Sequence, residues 1–355
     1  MQYEEYGNAK YLGNHLIKVI KAAKKDITTV DIKQGTKTIA GNAFSNCSRL
    51  TSVNIPDSVT SIGGSAFSGC SRLTSVNIPD SVTSIGGSAF YYCGGLTSIT
   101  IPDSVTSIGG SAFNGCSGLT SITIPDSVTS IGGSAFSGCM GLKSITIPDS
   151  VTSIGDSVFS GCSGLTSIAI PDSVTSIGMS AFNGCSSLTS VTIPNSVTSI
   201  GESAFNNCRG LTSITIGSGV TSIGYRAFYN CSGLTSITIP TSVTSIGGSA
   251  FNGCDKLQYE EYENAKYLGN HLIEAAKEDI TTVDIKQGTK TIADYAFYNC
   301  SGLTSITIPD SVTSIGSWAF NGCSKLTINV RAASKPSGWD SDWNCGRPVN
   351  WGYKG

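Results

Sequence analysis

Apolar and polar positions along this chain recur with a fixed period. One unit, LTSITIPDSVTSIGGSAFSGCMG from Leu119 to Gly141, has the form LxxIxIPxxVxxIGxxAFxxCxx. Equivalent units begin at Ile27, Leu50, Leu73, Leu96, Leu119, Leu142, Leu165, Leu188, Leu211, Leu234, Ile280 and Leu303, a spacing of 23 residues with one double step. Length alone, 355 residues, would suggest two globular domains, but internal repeats override that expectation.

Each part of the unit has a local reading. Alternation at Ile122-Thr123-Ile124 predicts a strand with one buried face. Pro125 ends it, since proline donates no ladder hydrogen bond, and Pro-Asp-Ser is a turn signal. Val128 to Ile131 predicts a second, shorter strand. Gly132-Gly133 permits a sharp bend, and Ala135-Phe136 is expected to turn inward on a single helical or 3-10 turn. A lone coil of this size cannot cover its own apolar face. Stacking parallel strands about 4.8 Å apart lays each residue over its equivalent, so the core becomes columns of like side chains. The expected fold is a mainly β repeat solenoid, with parallel strands, a short second strand and one helical or 3-10 turn per coil.

The cysteines follow the same period. Twelve of the 13, from Cys47 to Cys323, fall on the repeat, with a two-period step between Cys254 and Cys300. One cysteine per coil marks a structural position, not a disulfide framework. In-register Cβ atoms would also lie farther apart than the roughly 3.8 Å a disulfide prefers. Buried, unreactive thiols are expected. Cys345 lies outside the period and is expected to be the most exposed.

Two stretches break the pattern and are near copies of each other. QYEEYGNAKYLGNHLI at the start returns as QYEEYENAKYLGNHLI from Gln258, and DITTVDIKQGTKTIA occurs in both. A hairpin turning at Gly13-Asn14 fits YLGNHLI. The organisation predicted is a hairpin cap at 1–26, ten repeats at 27–256, an irregular duplicate of the hairpin module at 257–279, two repeats at 280–325 and a cap at 326–355. The slot from Leu257 to Asp279 keeps the period, which favours a continuous array over a flexible boundary near residue 257. Lys18 to Lys25 is compatible with a helical start. Trp339, Trp343, Trp351 and Tyr353 suit a cover for the last coil, with sugar stacking as the rival reading.

With these residues in view, the unit LTSITIPDSVTSIGGSAFSGC resembles the BspA-like branch of leucine-rich repeats, whose units also have 23 residues. NAKYLGNHLI looks like the hairpin module of such arrays, and KPSGWDSDWNCGRPVNWGYKG is similar to their C-terminal end piece. The resemblance covers nearly the whole chain and implies a right-handed leucine-rich-repeat coil. It also implies a cell-surface or secreted protein that binds matrix proteins, cells or other microbes. Fold alone does not fix that function.

Composition narrows the chemistry. Charged residues are only 13% and the net charge is −2, so nothing basic is present to neutralise a nucleic acid backbone. No apolar run reaches the roughly 18 residues of a membrane span, and MQYEEYGNAK shows no signal-peptide pattern. The residues themselves leave the compartment open. The two histidines, His15 and His271, occupy one duplicated position, so no His-based triad or metal cluster can be assembled. Asp57, Asp80, Asp103, Asp126, Asp149, Asp172 and Asp310 form an acidic column that reads as turn capping sooner than a Ca²⁺ site. No catalytic, metal or cofactor residue is predicted, and catalysis is the least favoured class.

Two surfaces remain as candidates for binding. The polar strand face carries Ser98, Thr100, Ser121, Thr123, Ser144 and Thr146 among many equivalents and is nearly monotonous. Variety gathers near the Phe turn, at Tyr91, Tyr92, Tyr225 and Tyr229, with Met140, Met179, Glu202, Arg226 and Trp318. The leading expectation is a non-catalytic adhesion scaffold that engages proteins or glycans multivalently. The alternative is a structural or self-assembling repeat protein, including a homo-oligomer. A regular hydroxyl lattice for a solid such as ice is disfavoured by the Asp column and by strand twist.

Overall fold

The computed structural model describes residues 3–20, 26–276 and 280–355. The chain winds into a solenoid of stacked coils, each with three sides. The first side is the long strand. Ser98, Ile99 and Thr100 lie beside Ser121, Ile122 and Thr123 in parallel, in register, and eight such strands from Ser75–Asn77 to Ser236–Thr238 form one sheet. The second side is the short strand, where Ser107-Ile108 pairs with Ser130-Ile131 in the same way.

The third side holds the Phe turn, and it is not helical. Residues along it alternate in backbone hand: Ser111 and Gly115 have φ of 57° and 74°. Left-handed residues cannot continue a 3-10 run, so the helical turn expected from the sequence is replaced by a zigzag. Alternate amides close local turns, as in Cys116 to the Phe113 carbonyl at 3.1 Å. The others reach the next coil: Ser111 to Gly133 at 2.9 Å, Phe113 to Ala135 at 2.8 Å and Gly115 to Ser137 at 2.7 Å. The strand sides donate backwards instead, as in Thr120 to Thr97 and Gly132 to Ile108. A regular coil is therefore bonded to both neighbours on its sides.

The bend glycines serve a different purpose from the one expected. Neither Gly132 nor Gly133 has a positive φ; Ser134 beside them does, at 59°. Gly132 is glycine because a Cβ there would sit 2.3 Å from the Gly110 amide nitrogen. Close approach of successive coils, not backbone freedom, sets the residue.

The interior is built of columns. The rings from Phe44 to Phe251 stack near-parallel, with centroids 5.0 to 5.8 Å apart. Each cysteine of the array sits beneath them. The Cys139 thiol donates to the Phe113 carbonyl of the preceding coil at 3.2 Å, and Cys116 and Cys162 do the same. The cysteine is thus a small hydrophobe with one usable donor, aimed at a carbonyl. The cysteines carry thiols and no disulfides. Burial pushes Cys116, Cys162 and Cys208 up to about 12.

One coil is poorly seated. Val158 stands where the other coils of the repeat have alanine, as at Ala135 and Ala181. Here the short-strand sheet stops after Ser130–Ile131 and resumes at Ser176–Ile177, with Ile154 held only through Ile177. A Cβ on Gly155 would meet nothing nearer than 3.7 Å, the nearest atom being Cγ2 of Val158. The valine coincides with this gap, as overpacking within a column of like residues would produce.

The two hairpin modules share one geometry. Glu4–Tyr6, Ala9–Leu12 and His15–Val19 pair antiparallel, as do Glu260–Tyr262, Ala265–Leu268 and His271–Ala275. The last strand of each then joins the short-strand ladder, His15 beside Thr38 and His271 beside Thr291. Of Lys18 to Lys25, Lys18 and Val19 are in a strand, and residues 21–25 lie outside the described residues. At the internal module the ladders are interrupted. The long-strand sheet ending at Ser236–Thr238 and the one starting at Thr282–Asp284 are separate, and the Phe251 and Phe297 columns are distinct.

At the C-terminal end Trp339 and Trp343 are buried, whereas Trp351 and Tyr353 are each 38% exposed. Trp343 meets Phe320 edge-on at 6.0 Å. Cys345 is half-buried and is the most exposed of the cysteines, as its place outside the period predicts. It follows Cys323 by 22 residues, one short of the period, and burial, offset in part by a backbone hydrogen bond from Phe320, pushes its thiol up.

Candidate interaction surface

The strand face emerges directly from the alternation. In the long strands Ser98–Thr100, Ser121–Thr123 and Ser144–Thr146 the middle residue is buried and its neighbours are exposed, so Ser98, Thr100, Ser121, Thr123, Ser144 and Thr146 all face outward. Thr100, Thr123 and Thr146 form one row across adjacent coils. The threonines that begin each strand stitch coil to coil instead, with Thr120 Oγ1 donating to the Thr97 carbonyl at 3.3 Å. So does the serine of Pro-Asp-Ser, with Ser127 Oγ on the Val105 carbonyl at 2.7 Å. The turn serine makes this bond while Asp126 beside it stays exposed. Among the described residues no three His, Cys, Asp or Glu side chains converge as metal ligands.

The Phe-turn edge carries the aromatic positions. Tyr91 and Tyr92 pack edge to face at 4.5 Å, and the Tyr92 ring lies over Gly115 of the next coil. Tyr92 is 57% exposed. Farther along, the Arg226 guanidinium sits 4.9 Å from the Tyr225 ring and 5.0 Å from the Tyr229 ring, a cation held by two aromatics. The structure thus brings Tyr91 to Tyr92, and Tyr225 to Tyr229 through Arg226.

Tyr225 and Arg226 also line a feature the sequence did not announce. Where the internal module displaces a coil, a cleft of about 560 Å³ opens on this edge. Its walls include Phe251, Tyr259, Lys266, Glu274, Asp294, Tyr295 and Tyr298. In a regular coil the amides equivalent to Ser249, Phe251 and Gly253 bond carbonyls of the next coil. Among the described residues these three donate to no backbone carbonyl. Lys266 lies 5.5 Å from the Tyr259 ring. Burial pushes the Tyr259 phenol up and likewise raises the Asp294 carboxyl, which accepts from the Ser317 amide at 2.9 Å.

A signal for this cleft was present in the duplication. Four positions that differ between the copies, Lys18, Gly41, Asn42 and Ser45, become Glu274, Asp294, Tyr295 and Tyr298. All four replacements line the cleft. The near-identity of the copies hid the few changes that matter.

A parallel β coil of LxxIxI strands with Phe and Cys columns defines a leucine-rich-repeat solenoid. The match to the family model for the BspA type leucine rich repeat region spans residues 22–141, 83–208, 153–276 and 266–335 in overlapping segments, and the chain belongs to that family. A leucine-rich repeat protein from Bacteroides ovatus is 32% identical, with a TM-score of 0.63, over 92% of this chain and 85% of that one. A leucine rich cell surface protein from Faecalibacterium prausnitzii is 31% identical, with a TM-score of 0.52, over 100% of this chain and 99% of that one. No curated protein matches the chain. No helix among the described residues is long and apolar enough to cross a membrane.

Proposed function

We propose that this chain is a non-catalytic, surface-displayed binding scaffold that engages host or microbial proteins or glycans multivalently. The observation that carries the reading is the eight-strand, in-register face of outward Ser and Thr side chains. Identical weak contacts spaced by one coil add through effective concentration without any single strong anchor. Discrimination comes from the aromatic edge, where Tyr225 and Arg226 line the cleft and Tyr229 packs against Arg226. Rigid tyrosines bind at low entropic cost. The open amides of Ser249, Phe251 and Gly253 offer donors to peptide carbonyls or sugar oxygens. The cell-surface description of the Faecalibacterium relative supports display outside the cell.

The test is a screen of the purified chain against immobilised matrix proteins and glycans, with light scattering on the same sample. A hit that weakens in the Tyr225→Ala, Tyr229→Ala double variant supports the reading. A monomer with no hit at high concentration sinks it, and concentration-dependent growth in mass without hits favours self-assembly instead.

A further inference from the structure

The internal hairpin module does more than fill a gap. In a regular coil of the array, three carbonyls are taken by the coil that follows. The Val carbonyl accepts a serine hydroxyl, as Val220 does from Ser242 at 2.7 Å. The Ile carbonyl accepts a glycine amide, as Ile223 does from Gly247 at 2.8 Å. The Phe carbonyl accepts a thiol, as Phe228 does from Cys254 at 3.2 Å. After residue 256 no ordinary coil follows directly, yet the three carbonyls are still served. Thr291 Oγ1 donates to Val243 at 3.4 Å, the Asp294 amide to Ile246 at 3.0 Å, and the Tyr259 hydroxyl to Phe251 at 3.2 Å. The module and its first coil replace a missing coil group for group.

The N-terminal copy holds equivalent groups, and among the described residues none of them bonds a preceding coil. Tyr3, equivalent to Tyr259, is 47% exposed. His15 is exposed and bonds Thr38 Oγ1 at 2.7 Å. In the internal copy that pair has separated: Thr291 turns to Val243, and His271, 1% exposed, bonds the Pro240 carbonyl. Otherwise the copies agree closely. Lys33 donates its amide to the Tyr11 hydroxyl at 3.2 Å, and Lys286 does so to Tyr267 at the same distance.

We infer that the N-terminal module is a docking joint whose partner is the uncovered last coil of another 23-residue-repeat block. The fitting surface presents unclaimed Val, Ile and Phe carbonyls in the arrangement of Val243, Ile246 and Phe251. A block fused directly ahead of the module is the probe of this fit. The internal joint is direct in sequence, with the Gln258 amide continuing the long-strand ladder onto the Thr235 carbonyl, and linkage supplies the effective concentration a small contact needs.

The experiment extends the full chain by a second copy of residues 27–257 placed directly ahead of Gln2, so that the new joint repeats Leu257-Gln258. Diethylpyrocarbonate labelling is then read at both histidines by mass spectrometry. In the unextended chain His15 labels readily and His271 does not. In the extended chain His15 should fall to the level of His271; labelling at the original rate on an extension whose circular dichroism shows the added strands overturns the inference. A second arm needs no extension. The Tyr259→Phe, Thr291→Val pair in the full chain removes two of the substituted bonds, and His271 should label on the order of tenfold faster through local opening. An unchanged His271 rate in that folded variant overturns the inference as well, because the carbonyl contacts would then not hold the joint. Neither readout depends on finding a soluble ligand.

Discussion

At the scale of single residues, the columns are strict because one neighbour above and one below must accept each side chain. Val158 is the informative exception. Its two extra carbons coincide with the break in the short-strand ladder at Ile154. Val158→Ala should close the coils and stabilise the chain by about 1 kcal/mol, the relief of a modest overpacking. Urea unfolding would show a higher midpoint, and hydrogen exchange would show new protection at the Gly155 amide. A lower midpoint would mean that Val158 fills space instead of forcing it. The thiol column makes a second prediction. The thiolate is the reactive form, and burial pushes the Cys116, Cys162 and Cys208 thiols up to about 12. A disulfide reagent added to native protein should therefore modify Cys345 first, and the periodic cysteines only on unfolding. Rapid reaction of several thiols in the native state would contradict the packing.

At the scale of the element, the sequence spoke clearly where a side chain's polarity decides its place. The alternation of Ile122-Thr123-Ile124 and the Phe and Cys periods fixed the strand face and the core. It spoke poorly where backbone geometry decides. The Phe turn reads as helical from Ala-Phe alone, since nothing in Ser134 advertises a φ of 59°. The glycine pair suggests a bend, whereas the real constraint is the coil beneath, which is invisible without stacking. These two accounts of glycine predict different outcomes. Gly132→Ala would drive a methyl into the Gly110 backbone and should cost roughly 1–3 kcal/mol. Gly155→Ala, in the loosened coil, meets nothing nearer than 3.7 Å and should be neutral or mildly stabilising through the unfolded chain. Equal losses in thermal melts of the two variants would restore the bend explanation. The candidate surface divides in the same way. The Ser and Thr face was legible from period two, and the tyrosine edge from its departures from consensus. The cleft depends on a displaced coil, and only the substitutions between the module copies hinted at it.

At the scale of the whole molecule, the junction at the internal module is where the continuous stitching is replaced by a few specific bonds, and it contains a titratable group suited to report on it. His271 is buried against the Pro240 carbonyl, its Nδ1 has no partner, and burial lowers its pKa below the ordinary 6.5. The neutral ring is therefore the native form. As pH falls through about 6.5 the unfolded chain gains a proton that the folded chain refuses, so the unfolded state binds more protons and stability drops with pH in that window. The contribution is present in full above 6.5 and lost progressively below it. Asp294, whose carboxyl is raised by burial, has the opposite sign: above 3.8 the folded chain keeps a proton the unfolded chain has released, so stability there falls as pH rises. The two are separable by substitution. The midpoint of thermal unfolding should decline between pH 7.5 and 5.5 in the parent chain and in Asp294→Asn, and decline less in His271→Asn. Because stability in a solenoid is nearly a sum of neighbouring interfaces, the acid loss should fall on the 258–355 block first. Hydrogen exchange at pH 5.5 should therefore show protection lost around Thr291 and Ile292 while Ile99 and Ile122 keep theirs. Uniform loss along the whole array would place the acid-sensitive group somewhere other than this junction.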